Sequence, residues 1–141
     1  MRRLLLAFVL LGSTVSAHAD GAINRIITSG DAARLKDYEA TRTQALTEAR
    51  ENGAEAEVDI VNTVMTERPL RFAGFDMTGD WQCRTIKLGG DPAATVYGWF
   101  KCRVTDDGAG WFLSKTNGSQ RTQGRFFDDN DLRLAYLGTQ F

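Results

Sequence analysis

The chain has 141 residues, of which 43% are hydrophobic, 25% charged and 10% aromatic, and its formal net charge is −1. This balance excludes disordered, collagen-like and coiled-coil chains, and the length predicts one globular domain. With only 2 prolines and charges of both signs interspersed, no segment reads as a long linker.

The first residues read as an address. Met1-Arg2-Arg3 is a basic start, Leu4 to Leu11 is an apolar run, and Ala17-His18-Ala19 is an A-x-A cleavage pattern. That order is a secretory signal peptide over residues 1–19, with Asp20 as the mature start. The apolar run is far shorter than the roughly 20 residues that span a bilayer. No second run of spanning length follows, so no transmembrane segment is expected after cleavage. The expected location is periplasmic or secreted.

Cleavage removes two of the 17 Lys and Arg residues, leaving 15 against 18 Asp and Glu. A mildly acidic chain argues against general nucleic-acid binding, which needs a basic face. Cleavage also removes His18, the only histidine. Ser-His-Asp and Cys-His catalysis, and His-ligated zinc or haem, are then excluded. No metal or cofactor is expected. The sequence holds no S-x-x-K, G-x-S-x-G, GxGxxG or P-loop pattern. Its aspartates fall mostly in predicted turns, with no pair fixed at a glycosidase spacing. The expectation is a protein that is not an enzyme.

Residues 20–141 read as a single domain with two unlike parts. Residues 20–73 hold six Glu, three Gly and no Trp, whereas residues 74–141 hold no Glu, ten Gly and all three Trp. The first part predicts helices. Thr28-Ser29-Gly30-Asp31 resembles a capping box, and a helix is expected from there to about Glu51, stopped by Asn52-Gly53. Leu35, Tyr38, Ala45, Leu46 and Ala49 form its apolar stripe, which predicts packing against a core. A second helix is expected at about 55–66, with Val58, Val61, Val64 and Met65 inward and Pro69 beyond its end.

The second part predicts strands at 79–88, 95–105, 110–116, 119–127 and 132–139. Short Gly- and Asp-rich connections make the neighbours antiparallel. Asn117-Gly118 is a strong hairpin signal and is read as the turn between the third and fourth strands. It also matches the glycosylation sequon with Ser119. Asp128-Asp129-Asn130-Asp131 lacks the pattern of a calcium loop, which Leu132 and Arg133 break, and reads as an acidic turn.

Cys83 and Cys102 are the only cysteines, and in an exported chain they are expected to form a disulfide. Placing them directly opposite each other puts Trp81, Cys83, Phe100, Cys102, Val104, Trp111, Leu113, Thr122, Gly124, Phe126, Leu134 and Tyr136 on one face. The opposite face collects Arg84, Lys101, Arg103, Arg121 and Arg125, with Trp99, Phe112 and Phe127 among them. No strand carboxylate is expected there, since the acids are assigned to turns. Arg forks suit carboxylate and phosphate and stack on aromatic rings. The same pattern also suits a solvated sheet face.

The fold class expected is α+β: two N-terminal helices followed by an antiparallel up-and-down β-meander, barrel-like in the manner of lipocalins. Gly79-Asp80-Trp81 is similar to the G-x-W of such barrels, where the Trp plugs the bottom. A five-strand meander has two open edges, and a closed barrel takes about eight strands. Helices, another chain, or further strands of a longer protein are expected to cover those edges.

Longer motifs carry a family resemblance. They are Gly74-Phe75-Asp76-Met77-Thr78-Gly79-Asp80-Trp81-Gln82-Cys83-Arg84-Thr85-Ile86-Lys87, then Tyr97-Gly98-Trp99-Phe100-Lys101-Cys102-Arg103-Val104, then Gly118-Ser119-Gln120-Arg121-Thr122. With Ile23-Asn24-Arg25-Ile26-Ile27-Thr28, the chain resembles the domain of unknown function 4893 family, small exported proteins of alphaproteobacteria. The resemblance implies a Gram-negative periplasm and one domain of helices plus strands. It implies no activity and no catalytic residues.

The functional expectation is a non-enzymatic periplasmic binding module. Its ligand would be a small anionic or glycan-type envelope molecule, held by Arg84, Trp99, Lys101, Arg103, Phe112, Arg121 and Arg125. The alternative is an interaction or inhibitor module engaging an envelope protein, by strand addition at an open edge.

Overall fold

The computed structural model describes residues 23–72 and 74–141. The leader read at 1–19 lies outside the described residues. The order is α1 (Ile23–Ile26), α2 (Ser29–Lys36), α3 (Tyr38–Asn52), α4 (Glu55–Thr66), then β1 (Gly79–Leu88), β2 (Ala94–Asp106), β3 (Trp111–Lys115), β4 (Thr122–Asn130) and β5 (Arg133–Gln140). The strands form one antiparallel sheet in the order β1-β2-β3-β4-β5, curled into a half-barrel. The α+β meander expected from the sequence is the fold observed.

The helical part differs in detail. Thr28 caps α2 as expected, accepting the Asp31 N–H at 3.1 Å and donating its hydroxyl to the Asp31 carboxylate at 2.7 Å. The single helix expected to about Glu51 is instead two, divided at Asp37 (φ −89°, ψ 4°). The Asp37 N–H still bonds Ala33 O, and its carbonyl still takes the Thr41 N–H, so the apolar period runs through the joint. That continuity is why the break is invisible in the pattern. The stripes are buried only in part. Leu46, Ala49 and Val61 are inside, whereas Leu35, Tyr38 and Val64 are 47%, 41% and 43% exposed.

Gly53 ends α3 in an extended conformation (φ −78°), so it is not there for a left-handed turn. A Cβ at Gly53 would sit 2.4 Å from Ala49 O and 3.2 Å from the Ala94 Cβ. The glycine lets the α3–α4 corner press onto the start of β2, where Ala93 and Ala94 are buried. Glu57 on α4 fixes the contact by accepting the Val96 N–H. At the other end of α3, Arg133 of β5 pairs with Glu39 and Asp129 and lies 5.1 Å from the Tyr38 ring. The helices thus join β1–β2 at one end of the half-barrel and β5 at the other.

The strand register departs from the expected one by two residues. Trp81 pairs with Cys102 and Cys83 with Phe100, so the cysteines are diagonal neighbours. They form the disulfide, with their Cα atoms 6.0 Å apart. A shift of two preserves sidedness, so the face assigned from Trp81 to Tyr136 stands. Two residues of β2, Tyr97 and Gly98, stand opposite one residue of β1, Thr85, as a bulge. Beyond it Ile86 pairs with Val96 and Leu88 with Ala94. Strand β4 starts at Thr122, later than expected, because residues 116–121 form a longer loop. Asn117 does not make a two-residue turn there. Its side chain accepts the Lys101 N–H at 2.7 Å.

Candidate functional site

Two faces of the sheet carry candidate sites. The first bears an open cavity of about 360 Å³, lined by Trp81, Gln82, Cys83, Cys102, Val104, Leu113 and Phe126 from the strands and by Leu70, Phe72, Phe75 and Met77 from the segment before β1. The Trp81 indole N–H donates to Met77 O at 2.8 Å, and its ring lies 6.4 Å from that of Phe75. The Trp is 42% exposed. It therefore lines an open cavity wall, where the sequence motif led us to expect a buried plug.

The opposite face holds all seven residues expected to bind ligand, and the structure divides them. In the lower group, Arg103 bonds Asp80 at 2.9 Å. Asp80 lies on β1 itself, directly paired with Arg103. This corrects the expectation that strand carboxylates are missing from this face. Arg125 grips Asp107 with both guanidinium nitrogens and lies 5.5 Å from the ring of its strand partner Phe112. That fork, helped by the Ala109 N–H, holds the Asp107 carboxyl down at about 2. The same contact raises Arg125. Arg103, Phe112 and Arg125 are thus engaged within the chain.

The upper group is different. Arg84 and Trp99 are direct strand partners, with the guanidinium 4.7 Å from the ring centroid. Trp99 is 60% exposed. The Arg84 Nε is buried and has no hydrogen-bond partner among the described residues. Lys101 lies on the same side of β2 as Trp99 and Arg103, and its side chain is exposed. Arg121 exchanges backbone hydrogen bonds with Phe141 at 3.1 and 2.9 Å, and its side chain too is exposed. No carboxylate among the described residues lies within ion-pair distance of Arg84, Lys101 or Arg121.

Sequence reasoning missed a second cationic group, on the cavity face. Lys115 is the direct partner of Cys102 and is only 7% exposed. Its ammonium lies 3.5 Å from the Phe100 ring centroid and donates to Gln120 O at 2.7 Å. Lys87 reaches the Gln120 side chain at 3.4 Å and lies 5.4 Å from the Tyr97 ring. The signal was present: Lys115 is two residues from Leu113, where alternation calls for an apolar side chain.

The acidic run expected to be a turn is mostly strand: Asp128, Asp129 and Asn130 end β4, because its pairing with β5 runs on to Asn130, and only Asp131 lies in the β4–β5 turn. Asn130 Oδ1 accepts the Leu132 N–H at 2.9 Å, and Asp129 is bound to Arg133. No group of three or more potential metal ligands occurs among the described residues.

Helices joined to a disulfide-braced antiparallel half-barrel define the class of this protein. The chain belongs to the family described as Domain of unknown function (DUF4893), whose model matches residues 24–141. No curated protein and no solved structure is matched by the chain. The disulfide fits a non-cytoplasmic protein. No helix among the described residues is long and apolar enough to cross a membrane.

Proposed function

We propose that the chain is an exported, non-enzymatic binding module of a Gram-negative periplasm, and that its ligand is anionic, either a small acid or a charged glycan. One observation carries this reading: Arg84, Lys101 and Arg121 share a sheet face with the exposed Trp99 and have no carboxylate partner among the described residues, while Arg103 and Arg125 beside them are neutralised. The ligand contacts are therefore narrowed to Arg84, Trp99, Lys101 and Arg121. The buried Arg84 Nε adds direction. A desolvated donor without an acceptor is unfavourable, and a ligand carboxylate, sulfate or phosphate oxygen would satisfy it. Trp99 offers a stacking surface for the carbohydrate or aromatic part of such a ligand.

A second reading, a protein partner added as a strand, is favoured by β1, which pairs on one side only among the described residues.

Native mass spectrometry of the protein exported to a periplasm and kept non-reduced tests both. A small co-purifying mass, lost when Arg84→Gln and Arg121→Gln are combined, is the expected result. A stoichiometric protein partner retained by that double variant would replace the first reading with the second.

A further inference from the structure

The outer cationic group leaves the cavity face unexplained, and the two ends of that face are chemically unlike. The lower end is the cavity, walled by Trp81, Val104, Leu113, Phe126, Phe72 and Met77. It offers a ligand almost no hydrogen bonding. The Trp81 N–H is already donated to Met77 O, and the cysteines are joined as a disulfide. A volume near 360 Å³ is within the range of small-molecule sites, and such a lining selects hydrocarbon.

The upper end begins beside the disulfide, at the strand partners of its two cysteines, and neither partner lines the cavity. Cys83 and Cys102 line the cavity, and their direct strand partners are Phe100 and Lys115. The Lys115 ammonium rests on the Phe100 ring and bonds one carbonyl. Lys87 converges on the same Gln120 from β1. By alternation along β1, Lys87 shares the side of Trp81 and Cys83. Two ammonium groups therefore bond the same residue, one at the Gln120 carbonyl and one at its side chain, and no carboxylate among the described residues lies within ion-pair distance of either. Burying a cation without a counter-charge is unfavourable, and Lys115 is the most buried charged residue of the described chain.

An apolar cavity, with two cations that have no carboxylate partner among the described residues beside it on the same sheet face, has the polarity of one kind of molecule. We propose that this face binds a single-chain anionic amphiphile, its hydrocarbon tail in the cavity and its acidic head at Lys115 and Lys87. The charge complementarity of the upper end decides between this occupant and a neutral hydrocarbon. The site is separate from Arg84 and Arg121, which lie on the opposite face.

Isothermal titration of the full chain, disulfide intact, tests the proposal with two probes of equal tail length, dodecanoate and dodecyltrimethylammonium, each below its micellar concentration. The expected result is saturable one-to-one binding of dodecanoate, at least ten-fold tighter than the cationic probe. Lys115→Met weakens dodecanoate at least ten-fold. Lys87→Met, at an exposed position, weakens it in the same direction and keeps the head assignment testable if the buried variant fails to fold. Met77→Trp, which fills the cavity from the segment outside the sheet, abolishes binding of both probes. Met77→Trp leaves Arg84, Trp99, Lys101 and Arg121 untouched, so the co-purifying mass of the outer-face reading survives it, and the two proposals fail independently. Absence of saturable dodecanoate binding, equal affinity for the two probes, or indifference to both lysine variants would overturn it.

Discussion

Glu57 of α4 accepts the backbone N–H of Val96 in β2, a bond between residues 39 apart that closes the helical layer onto the sheet. It lies beyond the part of β2 that β3 covers, since β2 and β3 pair only from Cys102 to Asp106. The carboxylate supplies the acceptor that the short third strand does not. Removing one partner of a part-buried bond leaves the other desolvated, at a cost of about 1–2 kcal/mol. Glu57→Ala should lower stability by that amount and Glu57→Gln by less. Urea unfolding followed by circular dichroism checks the order, and equal losses would contradict the bond.

Gly53 makes a second prediction about the same corner. Its backbone is not strained, so alanine is conformationally allowed, but the added methyl meets Ala49 O, Val58 and Ala94. Overpacking of this kind costs about 1–3 kcal/mol. Gly53→Ala should therefore destabilise the fold, although alanine is ordinarily the better residue beside a helix. A thermal midpoint equal to or above that of the parent would show that the corner yields.

The Cys83–Cys102 bridge closes a loop with a sequence separation of 19. In the chain-entropy account a loop of this size contributes about 3 kcal/mol, largely by restricting the unfolded chain. The Cys83→Ala, Cys102→Ala double variant should lose about that much in urea unfolding while keeping its far-ultraviolet spectrum. A loss under about 1 kcal/mol would place the constraint elsewhere in the β1–β2 hairpin, whose strand pairing is extensive.

Asp107 makes stability depend on acid. Its carboxyl is held at about 2, against an ordinary value of 3.8, chiefly by the Arg125 fork and then by the Ala109 N–H. A carboxyl lowered by folding contributes stability that is complete above about pH 3.8 and is lost as pH falls through about 2. The Asp107→Asn variant should therefore show a shallower fall in urea midpoint between pH 4 and pH 2 than the parent. Parallel curves would mean that the fork is not kept in solution, as exposed ion pairs sometimes are not.

Much of the sheet was legible in the sequence because its alternation is strict. Trp81, Cys102, Val104, Leu113 and Phe126 were assigned to one side from pattern alone, and they line one cavity. The register was off by two because direct opposition was assumed for the cysteines. A diagonal pair also brings their Cα atoms within bonding reach. The break at Asp37 was hidden because the helical hydrogen bonding continues across it. Among the expected ligand contacts, sidedness was legible and pairing was not. Asp80 lay inside the strand expected at 79–88 and two alternations from Arg84, so assigning all acids to turns overlooked it, and only the register set it against Arg103; Asp107 reaches Arg125 from the β2–β3 loop. Lys115 shows the reverse failure: its place in the alternation was readable, but a lysine facing inward contradicts the pattern used to read it.

The bulge at Tyr97 and Gly98 separates two properties that a regular strand pair ties together. A strand with one residue more than its neighbour over the same span has to bow. Bowing curls a sheet without changing which side any other residue faces. Deleting Gly98 would return β2 to the same length as β1, with Ile86 still against Val96 and Arg84 still against Trp99. Each side chain would keep its side, but the sheet would flatten and the space in front of Trp81 would open outward. In this hairpin, curvature is written in one surplus residue and sidedness in all the others.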